Sequence, residues 1–176
     1  MTMPEFSRAV RIDTIGEQKR PMTIAADEGE RVALARRFGL LAIARLEAAL
    51  TLSRRGEEII VEGVLAASVT QACVATAEPV AAGIEAPFEI LFRPQPDAAA
   101  ADDEVELSES EMDVVFHDGA EIDLGEAVAE TLALALDPYP RAPDADEALK
   151  AAGVKNEAEA GPFGALAGLR DKLKGE

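Results

Sequence analysis

The sequence predicts an α+β fold in which an antiparallel sheet, arranged as a meander or a partly closed barrel, is combined with two main helices. Three runs of alternating apolar and polar residues follow one another over residues 43–92 with short links, as consecutive antiparallel strands do. Two other segments place an aspartate three residues before a glutamate, and apolar residues follow at helical spacing. The 176 residues are enough for one domain with tails.

The first predicted elements are a strand and a helix. Residues 6–12 alternate well enough for an opening strand, and residues 13–26 are predicted to be a loop. Asp27 and Glu30 have the spacing of a capping box, so we expect a helix that ends at Gly39. The apolar stripe predicted for this helix consists of Val32, Leu34, Ala35 and Phe38.

The three alternating runs predict strands at 43–52, 59–70 and 80–92, and the glycine-containing segment 54–57 predicts the turn between the first two. Each strand should have one apolar face. The residues that share this face are Leu46, Ala48, Leu50 and Leu52 in the first run, Ile59, Val61, Gly63, Leu65, Ala67 and Val69 in the second, and Ile84, Ala86, Phe88, Ile90 and Phe92 in the third.

An acidic region follows the three strands. Residues 95–110 are rich in Ala, Asp, Glu and Pro and predict a mobile acidic loop, whereas residues 112–116 predict a short strand closed by a turn at 117–119. Asp123 with Glu126 then predicts the start of the second helix. Its expected apolar contacts are Val128, Leu132, Leu134, Ala135 and Leu136, before Asp137-Pro138 stops it.

We expect one domain over residues 1–140, a flexible linker over 141–160 and a short amphipathic tail over 161–176. In the tail, Phe163, Leu166, Leu169 and Leu173 follow at helical steps. Gly164 and Gly168 would each weaken such a helix by about 1 kcal/mol. The tail therefore either docks on the protein's own core or binds a groove of a partner.

The negative charge of the chain is concentrated in one stretch. The chain has 17 basic and 34 acidic residues, a formal net charge of −17, and residues 94–140 contain fourteen acidic residues and no lysine or arginine. A field of one sign repels nucleic-acid phosphates and attracts cationic proteins. We interpret the stretch as a surface for a basic protein, and the alternative is an acidic loop that only solubilises the chain.

Few residues are candidates for catalysis or for holding a metal. Cys73 and His117 are the only cysteine and histidine; we expect Cys73 to pack as a small apolar residue and His117 to lie in a turn. The sequence has no phosphate-binding glycine loop and no Cys/His set for zinc. We therefore expect no cofactor and no metal. The single cysteine and the lack of a signal peptide or membrane span predict a cytoplasmic protein.

Four segments, taken in their order, resemble a known family. They are Gly63 to Cys73, Glu78-Pro79-Val80 with Phe88 to Phe92, Ile122-Asp123-Leu124-Gly125-Glu126, and Gly161-Pro162-Phe163 with Leu166. Together they resemble the YceD family, the large-subunit ribosomal RNA accumulation proteins of bacteria and plastids, over roughly residues 61–173. The resemblance implies a role in the accumulation or processing of 23S rRNA, in a family whose members are not established enzymes.

One departure from the family bears on chemistry. Many members carry a Cys-x-x-Cys pair at the segment that matches Cys73, but here Thr76 stands at the second position. No basic residue lies between Gln71 and Val80. The resemblance therefore does not extend to a metal or redox role for this pair.

We accordingly expect a non-enzymatic factor of large-subunit biogenesis that binds a basic ribosomal protein or an assembly factor. The residues predicted to bind this partner are Asp118, Glu121, Asp123, Glu126, Glu130, Phe163, Leu166 and Leu169. A first alternative is a direct RNA binder that uses Arg31, Arg36, Arg37, Arg54 and Arg55. A second alternative is a metal-dependent nuclease of rRNA maturation with carboxylates from Asp113, Asp118, Glu121 and Asp123.

Overall fold

The computed structural model describes residues 4–95 and 113–154. The elements of these residues are β1 (Ala9–Arg11), β2 (Arg20–Ala25), α1 (Glu28–Arg37), β3 (Ala42–Arg55), β4 (Glu58–Ala72), β5 (Pro79–Pro94), β6 (Asp113–His117), β7 (Glu121–Asp123), α2 (Leu124–Ala135) and α3 (Ala145–Ala151). A 3₁₀ turn, Ile12–Thr14, follows β1. The predicted α+β class is confirmed.

The main sheet has the strand order β2-β3-β4-β5-β6, and β1 pairs with β7 in a separate two-stranded sheet. The pairs β2–β3 and β3–β4 are antiparallel, as expected for a meander. The five-stranded sheet is open among the described strands and is not closed into a barrel. β6 runs parallel to β5, which the sequence did not predict. Parallel neighbours need a long crossover, and the segment 95–112 is long enough to provide one.

The β3–β4 hairpin confirms the predicted strands and turn. Arg55 pairs with Glu58, so the turn consists of Gly56 and Glu57, and Gly56 has a left-handed φ of 64°. Both strands extend a few residues beyond their predicted ends. The predicted apolar faces are buried at Leu46, Ala48, Leu50, Leu52, Ile59, Val61, Leu65, Ala67 and Val69, while Gly63 is half-buried. Ile43, Ile60 and Gln71 of these strands are buried as well.

The strand β2 lies in the range that was predicted to be a loop, so that prediction was wrong. Only Met22 and Ile24 face the core, and Pro21 interrupts the pattern, which leaves a weak strand signal. An edge strand tolerates proline because one side of it donates no ladder hydrogen bonds. The opening strand is also shorter than predicted, since it comprises only Ala9–Arg11 and the 3₁₀ turn begins at Ile12.

The helix α1 begins at the predicted capping box. The Glu30 backbone N–H donates to Oδ1 of Asp27 (2.9 Å), and the Asp27 backbone N–H donates to Oε2 of Glu30 (2.8 Å). Leu34 is buried in the core as predicted, but Val32 is 56% exposed and the prediction for it was wrong. Two residues turn an α-helix by about 200°, so Val32 lies on the opposite side from Leu34.

The helix α2 packs through Leu124, Val128 and Leu132, which are fully buried in the core of the larger unit. Leu134 is 80% exposed, so its predicted core contact was wrong. It lies two residues beyond Leu132 and therefore on the opposite side of the helix. In the part of the chain that the structure describes, no helix is both long and apolar enough to span a membrane.

The chain divides into two compact units. The larger comprises residues 1–71 and 81–138, and the smaller comprises 72–80 and 139–176. Within 141–160, the range of the predicted linker, residues 145–151 form α3. The predictions for 161–176 and for nearly all of the acidic loop at 95–110 fall outside the described residues.

Candidate functional site

The segment from Ile122 to Glu126 joins β7 to α2, and its aspartate connects the N-terminal segment to the helix. Oδ1 of Asp123 accepts the backbone N–H groups of Gly125 (3.0 Å) and Glu126 (3.2 Å) and so caps the helix. The same oxygen accepts the backbone N–H of Arg8 (2.8 Å), and Oδ2 accepts the hydroxyl of Ser7 (2.6 Å). The N-terminal segment is thereby tied to the first turn of α2.

Gly125 lets the N-terminal segment approach this helix closely. A Cβ atom at this position would lie 2.4 Å from the carbonyl oxygen of Phe6 and 2.9 Å from the backbone nitrogen of Arg8. The neighbouring Ile122 and Leu124 are buried, and Phe6 is fully buried against them in the core. The motif Ile122–Glu126 therefore has a structural role in which all of its residues take part.

The negative charge of Glu126 is paired with an arginine of the same unit. Its carboxylate accepts two hydrogen bonds from the guanidinium of Arg37 (2.6 and 2.9 Å), which also contacts Glu5 (3.0 Å). The hydrogen bonds to Glu126 and the attraction of both carboxylates raise the pKa of Arg37. Because Glu126 points to Arg37, it does not return to the N-cap, and the second capping box is not closed.

The acidic groove, a concave surface between β5, β6, β7 and α2, has a volume of about 450 Å³. The five described residues that the sequence predicted for partner binding all line it. They are Asp118, Glu121, Asp123, Glu126 and Glu130. The groove is also lined by the apolar side chains of Phe92, Val115 and Phe116, which sequence reasoning did not select. The available signal for them was the apolar character of β5 and β6, since Phe92 lies on β5 and Val115 and Phe116 lie on β6.

Three of the five carboxylates form no ion pair among the residues that the structure describes. Asp118, Glu121 and Glu130 are exposed, and no cation of the described chain forms an ion pair with them. One oxygen of Asp118 accepts the backbone N–H of Ala120 (3.0 Å) and shapes the turn after β6. Phe116 is 57% exposed beside them. The groove therefore combines uncompensated negative charge with an accessible aromatic ring.

His117 lies in the wall of the acidic groove, at the end of β6. Its Nδ1 atom accepts the backbone N–H of Gly119 (3.1 Å), so the neutral ring carries its proton on Nε2. Nε2 is buried and has no hydrogen-bond partner among the residues that the structure describes. The prediction that His117 lies in the turn was wrong by one residue, because His117 is the last residue of β6 and pairs with Pro94. Its ring helps to fix the turn that carries Asp118.

In the smaller unit, Cys73 lies at the start of a tight turn. Its backbone N–H donates to the carbonyl of Glu78 (2.7 Å), and its buried sulfur accepts the backbone N–H of Ala142 (3.3 Å). A hydrogen bond with the Thr76 hydroxyl and the bond from Ala142 lower the pKa of the thiol to about 7. Positions 73 and 76, where many family members carry two cysteines, are thus in contact here.

The family positions at 78–80 come directly after the Cys73 turn. Glu78 and Pro79 are exposed, and Val80 is half-buried at the start of β5. Cys73 belongs to the smaller unit and His117 to the larger one. The family positions Pro162 and Phe163, and the predicted partner contacts Phe163, Leu166 and Leu169, lie outside the described residues.

The five arginines of the RNA-binding alternative do not form one surface. Arg37 is occupied by Glu5 and Glu126, whereas Arg54 and Arg55 lie at the β3–β4 turn. Arg54 donates to the carbonyl of Gly56 (2.8 Å). Arg31 and Arg36 line a separate groove beside α1.

The four carboxylates of the nuclease alternative do not all line the same groove. Asp118, Glu121 and Asp123 line the acidic groove, but Asp113 lies at the far end of β6 and is exposed. Within residues 4–95 and 113–154, no three His, Cys, Asp or Glu side chains are grouped closely enough to hold a metal ion.

Comparison with known proteins gave one match. The family model described as large ribosomal RNA subunit accumulation protein YceD matches residues 61–170, which include the Cys73 turn and the acidic groove. No curated protein and no solved structure matched the chain. Because the matched residues make up more than half of the sequence, the chain belongs to the YceD family of large ribosomal RNA subunit accumulation proteins.

Proposed function

We propose that this protein supports the accumulation of 23S rRNA and the biogenesis of the large ribosomal subunit as a cytoplasmic, non-enzymatic factor. In this proposal it acts by binding a cationic segment of a ribosomal protein or an assembly factor in the acidic groove. Family membership supports the role in rRNA accumulation. The main observation in support of this binding mode is that five carboxylates line one groove. They come from the turn after β6, from β7 and from α2.

The groove has the chemistry that a lysine- and arginine-rich segment needs. Its volume of about 450 Å³ lies within the usual range for ligand sites, about 300–1,000 Å³. An arginine that enters it can pair with the carboxylates of Glu121 and Glu130 while its guanidinium stacks on Phe116. Apolar stems of long cationic side chains can cover Val115 and Phe92.

The two groups of carboxylates have different tasks in this proposal. Asp118, Glu121 and Glu130 have no ion-pair partner within the described chain and contact the cationic segment. Asp123 and Glu126 are held by Arg8 and Arg37 and give the groove its shape. The local charge disfavours direct binding of RNA phosphates at this surface.

A binding experiment with matched variants tests the proposal. The double variant Glu121→Gln, Glu130→Gln removes two exposed charges from the groove, and Glu85→Gln, Glu89→Gln removes two exposed charges from β5 outside it. Purified full-length proteins are titrated with individual large-subunit proteins and with 23S rRNA fragments. We expect the groove variant to lose at least roughly tenfold in affinity for its basic partner, a loss of about 1.4 kcal/mol, and the β5 variant to bind as the wild type does.

Two results would contradict the proposal. One is tight, salt-sensitive binding of bare rRNA without any protein partner. The other is an unchanged affinity of the groove variant for every basic protein that the wild type binds. In cells that lack the gene, the ratio of 23S to 16S rRNA should be restored by the wild type and the β5 variant, and not by the groove variant.

A further inference from the structure

A second groove of the larger unit lies between α1 and the beginning of β3 and contains no acidic residue. It has a volume of about 370 Å³, and Arg31, Val32, Ala35, Arg36, Leu41 and Ile43 are among its lining residues. We call it the arginine groove. It precedes residues 61–170, so the family match assigns no role to it.

The apolar part of this groove is exposed and held in place by the backbone. Val32 is 56% exposed and Leu41 is 55% exposed, although both are large apolar side chains. The backbone N–H of Leu40 donates to the carbonyl of Ala35 (2.8 Å), and that of Leu41 donates to the carbonyl of Thr70 (2.8 Å). The link between α1 and β3 is therefore anchored to α1 and to β4, and Leu41 is presented at a fixed position.

Among the described residues, the two arginines of the groove have no acidic partner. Arg31 donates to the carbonyl of Ala26 (2.7 Å), and no carboxylate of the described chain forms an ion pair with it or with Arg36. Arg37, the next residue, is by contrast held by Glu5 and Glu126. In a chain with a net charge of −17, two cations that form no ion pair with residues 4–95 and 113–154 on one apolar groove indicate an anionic occupant.

We propose that the arginine groove docks an acidic amphipathic segment of another protein, in which one or two large apolar side chains are flanked by carboxylates. The apolar side chains cover Val32 and Leu41, and the carboxylates pair with Arg31 and Arg36. A nucleic acid fits less well, because the other lining side chains named above are apolar and the charge of the whole chain repels a polyanion. This site does not depend on the acidic groove, whose partner has the opposite charge.

The test uses isotope-labelled full-length protein and two short synthetic peptides. Both carry leucines at helical spacing; the other positions are glutamate in one peptide and lysine in the second. We expect the glutamate peptide to shift the amide resonances of residues 31–43, with an affinity that falls as salt is added. Arg36→Glu and Leu41→Ser should each weaken its binding roughly tenfold. Two exposed residues elsewhere provide matched controls, and Arg20→Glu and Val64→Ser should leave binding unchanged.

Several outcomes would overturn this inference. If the lysine peptide bound as tightly as the glutamate peptide, the arginines would not select the charge of the occupant. If both groove variants bound the glutamate peptide as the wild type does, the peptide would bind at another site. Shifts of residues 31–43 caused instead by an RNA oligonucleotide, by increasing protein concentration, or by truncation after residue 154 would assign the groove to RNA, to a second copy or to the chain's own C-terminus. Circular dichroism confirms that the variants, which all change exposed residues, are folded.

Discussion

Single arginines connect parts of the larger unit that are distant in sequence. The guanidinium of Arg8 donates to both oxygens of Glu30 (2.6 and 2.9 Å) and to the carbonyl of Ala25 (2.8 Å), and it lies 4.7 Å from the centre of the Phe6 ring. The hydrogen bond from Arg8 lowers the pKa of Glu30. Both side chains are partly shielded from water, so this bidentate pair stabilises the fold more than an exposed ion pair does.

The thiol of Cys73 gives a prediction at the scale of one residue. Hydrogen bonds stabilise the charged form of an acid that accepts them, and the bond with Thr76 is the largest cause of the lowered pKa of this thiol. Thr76→Val removes that bond, so the pKa should rise from about 7 towards its ordinary value of 9.0. At pH 8 the variant then holds less thiolate than the wild type does. Thiolate absorbance, followed while the pH is raised, measures the midpoint.

The single cysteine makes this measurement unambiguous, because Cys73→Ser supplies the blank. Thr131→Val is the control, since the Thr131 hydroxyl donates to the carbonyl of Ala127 within α2. Its titration midpoint should equal that of the wild type. If Thr76→Val left the midpoint at about 7, the threonine would not be the main cause of the shift.

At the scale of elements, the contact between the N-terminal segment and α2 depends on the absence of a side chain at Gly125. In Gly125→Ala the new Cβ would overlap the backbone of Phe6 and Arg8, which is held by Asp123 and cannot move without loss of hydrogen bonds. We expect the free energy of unfolding to fall by about 1–3 kcal/mol, as measured by urea denaturation.

Gly16→Ala is the matched control for this prediction. A Cβ at Gly16 would meet no atom within 4 Å, and its φ is not in the left-handed region. The stability of this variant should equal that of the wild type or exceed it slightly, because alanine restricts the unfolded chain. Equal stabilities of the two variants would contradict the role given to Gly125.

At the scale of the whole molecule, the charge distribution predicts how association depends on salt. The acidic groove belongs to the stretch of residues that contributes −14 to the net charge of −17. Fields of this kind speed the encounter with a cationic partner and are screened over about 10 Å at 0.1 M salt. The association rate constant with the basic partner should therefore fall steeply with added salt, and the dissociation rate constant should change less.

Stopped-flow mixing at several salt concentrations measures both rate constants. The double variant Glu121→Gln, Glu130→Gln should show a shallower salt dependence than the wild type, because two of the steering charges are removed. An association rate constant that does not change with salt would show that the negative stretch plays no part in partner capture.

Much of the fold could be predicted because local sequence patterns indicate where its main strands and helices lie. The apolar alternation of β3 and β4 and the capping aspartates of both helices depend on neighbours within a few residues of the chain. The errors arose where contacts between residues distant in sequence decide which residues form a strand or which side of a helix is buried. Val32 and Leu134 belong to helical apolar patterns but lie opposite the packed faces, and β2 is a strand because β3 pairs with it.

The sequence by itself determined the fold class, the main strands, the starts of the helices and the family, because periodicity, capping residues and ordered motifs are properties of the linear chain. It also selected all five carboxylates of the acidic groove. Only the tertiary structure decided which of them form ion pairs or hydrogen bonds with distant parts of the described chain. Asp123 is bound by Ser7 and Arg8, and Glu126 by Arg37, and these partners are far away in sequence and near only in the folded chain.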